Sequence, residues 1–288
     1  MQYALEETAK YLAVWLHKKT GMRNLCLAGG VALNCKMNGE LARLPFIDNI
    51  YVTPIAGDAG AGLGAAVFSS VNHNGHRPRP LLTADIGRGF NNKDILLALD
   101  QSGVSYSHIQ NPAEEAINKL LDEKVISFYQ GRSEIGPRAL GNRSILALPQ
   151  ESATRDYINS QVKHRELWRP LCPSVLQDQS DVYFDNSSGY PFMNISSHAS
   201  DFAKKRIPAV IHVDGSVRVQ SVSKGTSSIY YDLLKLTGSA IGDPVLLNTS
   251  FNGRGEPIVD SPTDAIRCFM RMPINSMIIG DYLVSKRK

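Results

Sequence analysis

Apolar residues in the opening stretch fall at Leu5, Ala9, Leu12, Ala13 and Leu16, a spacing that predicts a helix over residues 3–19. The next apolar run, 24–28, is short and stops at Gly29-Gly30, which reads as a strand closed by a tight turn. Helical spacing resumes over 31–44, residues 49–54 read as a second strand, and a small-residue run from Gly57 to Gly64 leads into a helix ending near Ser70. Helix, strand, helix, strand, helix is an α/β pattern.

Gly, Pro and His break the periodicity at 72–80, so a linker is set at 73–82, between a first unit at 1–72 and a second at 83–288. In the second unit, 112–123 reads as a helix with Pro and Glu in its first turn, 124–130 as a strand and 152–162 as helical. Runs 209–213 and 216–222 flank Asp214-Gly215, a hairpin signal. Helical spacing covers 226–236, a strand 244–247, a polar loop 248–255, and a closing strand 276–284. Ser261-Pro262 marks a helix start.

Five segments carry candidate chemistry. The turn at Gly29-Gly30 puts backbone N–H groups at a helix mouth, with Asn34 read as one turn inside that helix. A ligand-free strand-to-helix turn explains the same residues. Asp58 sits at a strand-to-helix junction, a position for a metal ligand or a helix cap, while the small residues after it also serve close packing. Arg138 and Arg143 lie in one turn-rich stretch, suited to bidentate phosphate recognition or to surface ion pairs. Lys163, Arg165 and Arg169 crowd around Trp168, an arrangement that like charges disfavour unless anions answer it. From Asn248 through Ser250 and Asn252 to Gly255, hydroxyl, amide and glycine residues offer donors at a strand end.

Charge narrows the choice. Net charge is +4, and the cations form no long block, which disfavours a nucleic-acid partner. The four cysteines, Cys26, Cys35, Cys172 and Cys268, have no zinc spacing. No apolar run reaches the ~18 residues of a membrane span and no secretion signal opens the chain, so a cytoplasmic location and no membrane partner are expected.

Taken together and in order, the segments Leu27–Asn34, Gly57–Ala66, Ser133–Ala147, Lys163–Leu176, His212–Gln220 and Leu247–Val259 resemble the NodU/CmcH-type O-carbamoyltransferases over nearly the whole chain. The resemblance implies the end of an actin- or sugar-kinase-like ATPase lobe in the first unit and a YrdC-like α/β domain in the second. It implies carbamoyl-adenylate formation from carbamoyl phosphate and ATP, with transfer to a small-molecule hydroxyl supported by a divalent metal, iron in family members. By motif, Lys163 and Arg169 hold carbamoyl phosphate with Ser250 and Asn252; Arg138, Arg218 and Asn248 face ATP, with Arg143 beside them; Gly30 and Asn34 contact the adenylate; Asp58 is one metal ligand. The family's H-x-x-x-H pair is missing among the seven histidines. The expectation is therefore a C-terminal portion, a fragment or one piece of a split enzyme, partnered by a separate N-terminal half or a second copy. The alternatives are a nucleotide- and carbamoyl-phosphate-binding fragment without turnover, and a threonylcarbamoyl-type adenylate synthase, which Trp168-Arg169-Pro170 and the fused first unit disfavour.

Overall fold

A computed structural model describes residues 1–77, 81–225 and 228–286. Twelve strands form, and in chain order they are β1 (Asn24–Leu27), β2 (Asn49–Val52), β3 (Tyr106–His108), β4 (Val125–Tyr129), β5 (Arg143–Ala147) and β6 (Cys172–Leu176), followed by β7 (Ser196–His198), β8 (Ser216–Arg218), β9 (Gln220–Val222), β10 (Val245–Ser250), β11 (Ser276–Ile279) and β12 (Tyr282–Ser285), counted among the described residues.

Eight of them make one mixed sheet in the order β3-β12-β11-β4-β5-β10-β6-β9. β4, β5 and β6 are buried along their whole length, so both faces must be covered. Alternation along the strands sorts the faces: Val125, Ile145, Val175 and Leu247 look one way, Ile126, Leu146, Leu176 and Leu246 the other. Helices Pro112–Glu123 and Ser228–Ile241 close the second face through Leu120, Leu233 and Leu234. Helices Asn92–Ser102 and Pro262–Arg271 close the first through Leu99 and Phe269. The result is the mixed α/β class that the periodicity and the resemblance lead one to expect.

The first unit follows the expected element order. Helix Gln2–Thr20 and strands β1 and β2, paired in parallel, form as read. The helix expected over 31–44 is divided, a 3-10 turn at Gly30–Leu33 and a helix at Cys35–Ala42, because Asn34 leaves the helical region and caps the second piece, accepting from Met37 N at 3.0 Å. The linker set at 73–82 begins inside helix Ala61–Asn74, and its residues 78–80 lie outside the described residues.

Other differences lie where backbone pairing decides. The turn at Asp214-Gly215 forms, yet β8 pairs with β7 and the run before the turn is a 3-10 turn, Pro208–Val210. The run 216–222 divides at Val219, with β9 joining the main sheet beside β6. The closing run is a hairpin, β11 and β12, reversed at Gly280 with φ 53°. The helix expected from 226 is described from Ser228; residues 226 and 227 lie outside the described residues.

The first unit is docked on the segment around β7. Asn38, fully buried, donates to Ala32 O and Asn194 O, each at 2.7 Å, and Asn194 donates to Val52 O at 2.6 Å. Gly39 lets helix Cys35–Ala42 lie against Ser196, since a Cβ there would collide with the Ser196 backbone carbonyl and hydroxyl. Gly39→Ala is therefore expected to destabilise the chain by about 1–3 kcal/mol, the usual cost of overpacking. Thermal unfolding followed by circular dichroism checks this, and an unchanged Tm would show that the contact yields without cost.

Candidate anion-binding site

Lys163 ends a π-turn, Ile158–Val162, that follows helix Ser152–Tyr157, and it is 6% exposed. Its Nζ donates to the Ser250 carbonyl, to Asn252 O at 3.0 Å and to Asn252 Oδ1 at 2.8 Å, with Ser250 Oγ at 3.4 Å. Ser250 Oγ in turn donates to Asn252 Oδ1 at 2.7 Å. Ser250 ends β10, which runs beyond the strand expected at 244–247, so the chain brings residues far apart in sequence to one sheet end.

Lys163, Arg165, Glu166, Arg169, Ser250 and Asn252 line one cleft of about 340 Å³, joined by Arg254. Ser250 and Asn252 also border a second cleft, lined by Ser133, Glu134, Arg143 and Asp260. Arg165 is oriented by Asn159, whose Oδ1 accepts from Arg165 Nε at 2.8 Å. Arg169 is exposed and its Nε donates to Glu166 Oε2 at 2.8 Å.

Beside this cleft Arg138 and Arg218 form a second pair of cations. Arg218, at the end of β8, donates through Nε to Cys172 Sγ at 3.0 Å, and Cys35 of the first unit faces the same guanidinium. Arg138 rides on a loop wrapped around Glu134, whose Oε1 accepts from Leu140 N at 2.8 Å and Asn142 N at 2.7 Å. Burial, then the neighbouring Arg218, pull the Arg138 guanidinium below its ordinary range; burial, then Arg169, do the same to Arg165. Among the described residues, none of Arg138, Arg165 and Arg218 forms an ion pair with a carboxylate. Gathered, desolvated cations without a paired carboxylate repel one another, and an anion relieves that repulsion.

Lys163, Arg169, Ser250 and Asn252 thus converge, with Arg138 and Arg218 adjacent. Four sequence candidates do something else. Arg143 is 1% exposed; it donates to the carbonyls of Gln130, Gly131, Asn142 and Asp260 and lies 3.6 Å from the Tyr129 ring centroid, a pattern that fixes the turn and leaves little of the guanidinium for a ligand. Asn248, read as a loop residue, is inside β10 and buried, donating to Ser174 Oγ and Gln220 Oε1, each at 3.1 Å. Asn34 has its amide committed to Gln2 and its carbonyl to the helix cap. Gly30 is exposed at the end of β1, where Gly29 N is tied to Ala56 O at 2.7 Å.

Asp58 is exposed at the start of a 3-10 turn, and no group of three His, Cys, Asp or Glu residues comes together as a metal cradle among the described residues. The donors present do not fit a resident divalent metal. Arg165 is the residue that sequence reasoning quoted without giving a role; its separation of two from Lys163 was the available signal, because the π-turn carries both into the cleft.

Burial, then Arg165 beside it, pull Lys163 down to about 7. Below that pH the ammonium is present and attracts an anion, and above it the free cleft has lost one positive charge. Sulfate affinity is expected to fall by up to about tenfold per pH unit from 7 to 9, the slope for one linked proton. Sulfate stays dianionic throughout, so titration calorimetry across this range reads the protein alone. Lys163→Gln should flatten the profile, and a slope that survives in that variant would assign the proton elsewhere.

A family model described as "Carbamoyltransferase C-terminus" matches residues 117–286, and one described as "Carbamoyltransferase N-terminus" matches residues 1–67. Nodulation protein NolO of Bradyrhizobium diazoefficiens is 40% identical, with 100% of this chain and 54% of the relative covered. Nodulation protein NolNO of Sinorhizobium fredii is 39% identical, with 100% and 43% covered. The chain spans about half the length of these curated relatives. Among solved structures, full-length HypF in its phosphate- and nucleotide-bound form aligns at TM-score 0.43 and 13% identity, over 64% of this chain and 22% of that one. No helix among the described residues is long and apolar enough to cross a membrane.

Proposed function

The chain belongs to the carbamoyltransferase family, and from that premise we propose that it forms carbamoyl-adenylate from carbamoyl phosphate and ATP, for transfer to a hydroxyl of a small-molecule acceptor. The observation that carries this reading is the set of cations without carboxylate partners, Arg138, Arg165 and Arg218, beside Lys163 and its ring of oxygens. Such a reaction brings two polyanions together, and fixed positive charge is the main means of accelerating transfers at phosphorus.

Atom balance sets the order of events. Water takes the phosphoryl group of carbamoyl phosphate as inorganic phosphate and leaves carbamate. A carbamate oxygen attacks the α-phosphorus of ATP, and pyrophosphate leaves. In this reading Arg165, Arg138 and Arg218, with Arg169 at the rim, hold the phosphate of the first step and the phosphates of ATP between them, and Lys163, whose N–H groups serve Ser250 and Asn252, adds its charge. No step is assigned to a metal, since Asp58 stands apart from other ligands.

A second reading, binding of both anions without turnover, is favoured by the open first unit, where helix Ala61–Asn74 has no buried residue. Carbamoyl-phosphate-dependent exchange of labelled pyrophosphate into ATP separates the two. Exchange supports adenylate formation; ATP binding with no exchange leaves only the binding function.

A further inference from the structure

We infer that Trp168 is the stacking platform for the purine base of the nucleotide whose phosphates the cationic clefts receive. The inference rests on the nucleotide reading of that site and adds the group that recognises the base. Trp168 is 75% exposed, on a loop whose neighbours Arg165, Glu166 and Arg169 line the cleft. Single exposed apolar residues are ordinary, so exposure alone decides nothing. What decides is how the loop is held.

Asn159 is fully buried, and its side chain serves this loop. Its Nδ2 donates to Leu167 O at 3.2 Å and Arg169 O at 2.8 Å, the carbonyls on either side of Trp168. Its Oδ1 accepts from Arg165 Nε at 2.8 Å, and its carbonyl accepts from Arg165 N at 2.9 Å. His164 takes the left-handed conformation at φ 47° to start the turn, and Arg169 N returns to Glu166 O at 3.2 Å. A non-glycine residue at positive φ and a buried amide used on flanking carbonyls are not features of a slack loop. One residue, Asn159, therefore sets both the cleft cation Arg165 and the segment that presents the indole.

The ring is bordered by charge as well. The Arg169 guanidinium lies 5.9 Å from the ring centroid and is steadied by Glu166. A flat aromatic surface with a guanidinium beside it, at the rim of a phosphate seat, matches a nucleotide: the base stacks on the indole and the phosphates reach inward.

Trp15 and Trp168 account for the two tryptophans, so Trp15→Phe leaves a single reporter in the full chain. ATP is expected to quench that reporter, whereas inorganic tripolyphosphate, which has the charge and no base, should bind without quenching it. By calorimetry, Trp168→Ala should weaken ATP by about 5- to 150-fold, the range measured for base stacking, and leave tripolyphosphate affinity unchanged. Trp168→Phe should keep most of the ATP affinity. Equal ATP affinity in Trp168→Ala and the native chain would overturn the inference. So would an emission that is already shielded without ATP and shifts on dilution, which would show a neighbouring polypeptide on the indole. Tripolyphosphate binding without any ATP binding to the native chain would remove the nucleotide reading itself, and this inference with it.

Discussion

Lys163→Ala is expected to lower the affinity for carbamoyl phosphate by about 30-fold or more, the effect of truncating one partner of a buried, hydrogen-bonded charged group. The ammonium has two tasks. It supplies charge to the cleft, and it pins Ser250 and Asn252 by donating to both backbone carbonyls and to the Asn252 amide oxygen. Without it the Asn252 carbonyl loses that donor and the other two oxygens keep only Asn252 N and Ser250 Oγ, so the segment after β10 loosens. Lys163→Arg should not rescue, because a planar fork does not fill a nest shaped around a point charge. Arg165→Ala should come next in effect and Arg169→Ala last, since Arg169 is exposed and its charge is screened by Glu166 and water. Titration calorimetry on variants shown to be folded gives the ranking, and unchanged affinity in folded Lys163→Ala would take this residue out of the site.

The residues that converge were legible where a short motif carried several of them. Ser250 and Asn252 stand two apart at a strand end, and Lys163 and Arg169 share one stretch, so the stretch pointed to the cleft even before its geometry was known. What that stretch hid was rank: Arg165, buried beside Lys163, and Arg169, at the rim, look equivalent in the chain. Arg143 misled for a related reason. A guanidinium can serve carbonyls as well as phosphates, and only the wrapped path of the loop around Glu134 shows that Arg143 serves carbonyls. Fold errors had the same root. β5 and β6 show no periodicity of their own, and β8 pairs with β7 rather than across the Asp214-Gly215 turn, because partners remote in sequence set these positions; helix Asn92–Ser102 is different. The Asn91–Asp94 capping box was a local signal that could have found that helix.

Supplied with carbamoyl phosphate, ATP and a simple hydroxyl acceptor, the chain is expected to exchange pyrophosphate and yet pass no carbamoyl group to the acceptor. The reason is the open state of its first unit. Among the described residues β1 and β2 pair only with each other, whereas parallel strands normally lie within a larger sheet covered on both faces. Helix Ala61–Asn74 carries Leu63, Val67, Phe68 and Val71 and buries none of its residues. Of the three positions that the family resemblance assigns to the adenylate and the metal, Gly30 and Asp58 are exposed to water and Asn34 is half-buried. A carbamoyl-adenylate is a mixed anhydride, and on an open wall water competes for its carbonyl carbon, since exclusion of water is what protects such intermediates. AMP should therefore accumulate without carbamoylated acceptor, and adding the portion of a longer relative that has no counterpart here should divert the carbamoyl group to the acceptor. Following carbon-labelled carbamoyl phosphate into acceptor and AMP release in one reaction distinguishes the outcomes. Acceptor turnover by the chain alone would show that the exposed wall already suffices, and that Gly30 and Asp58 work while open to water.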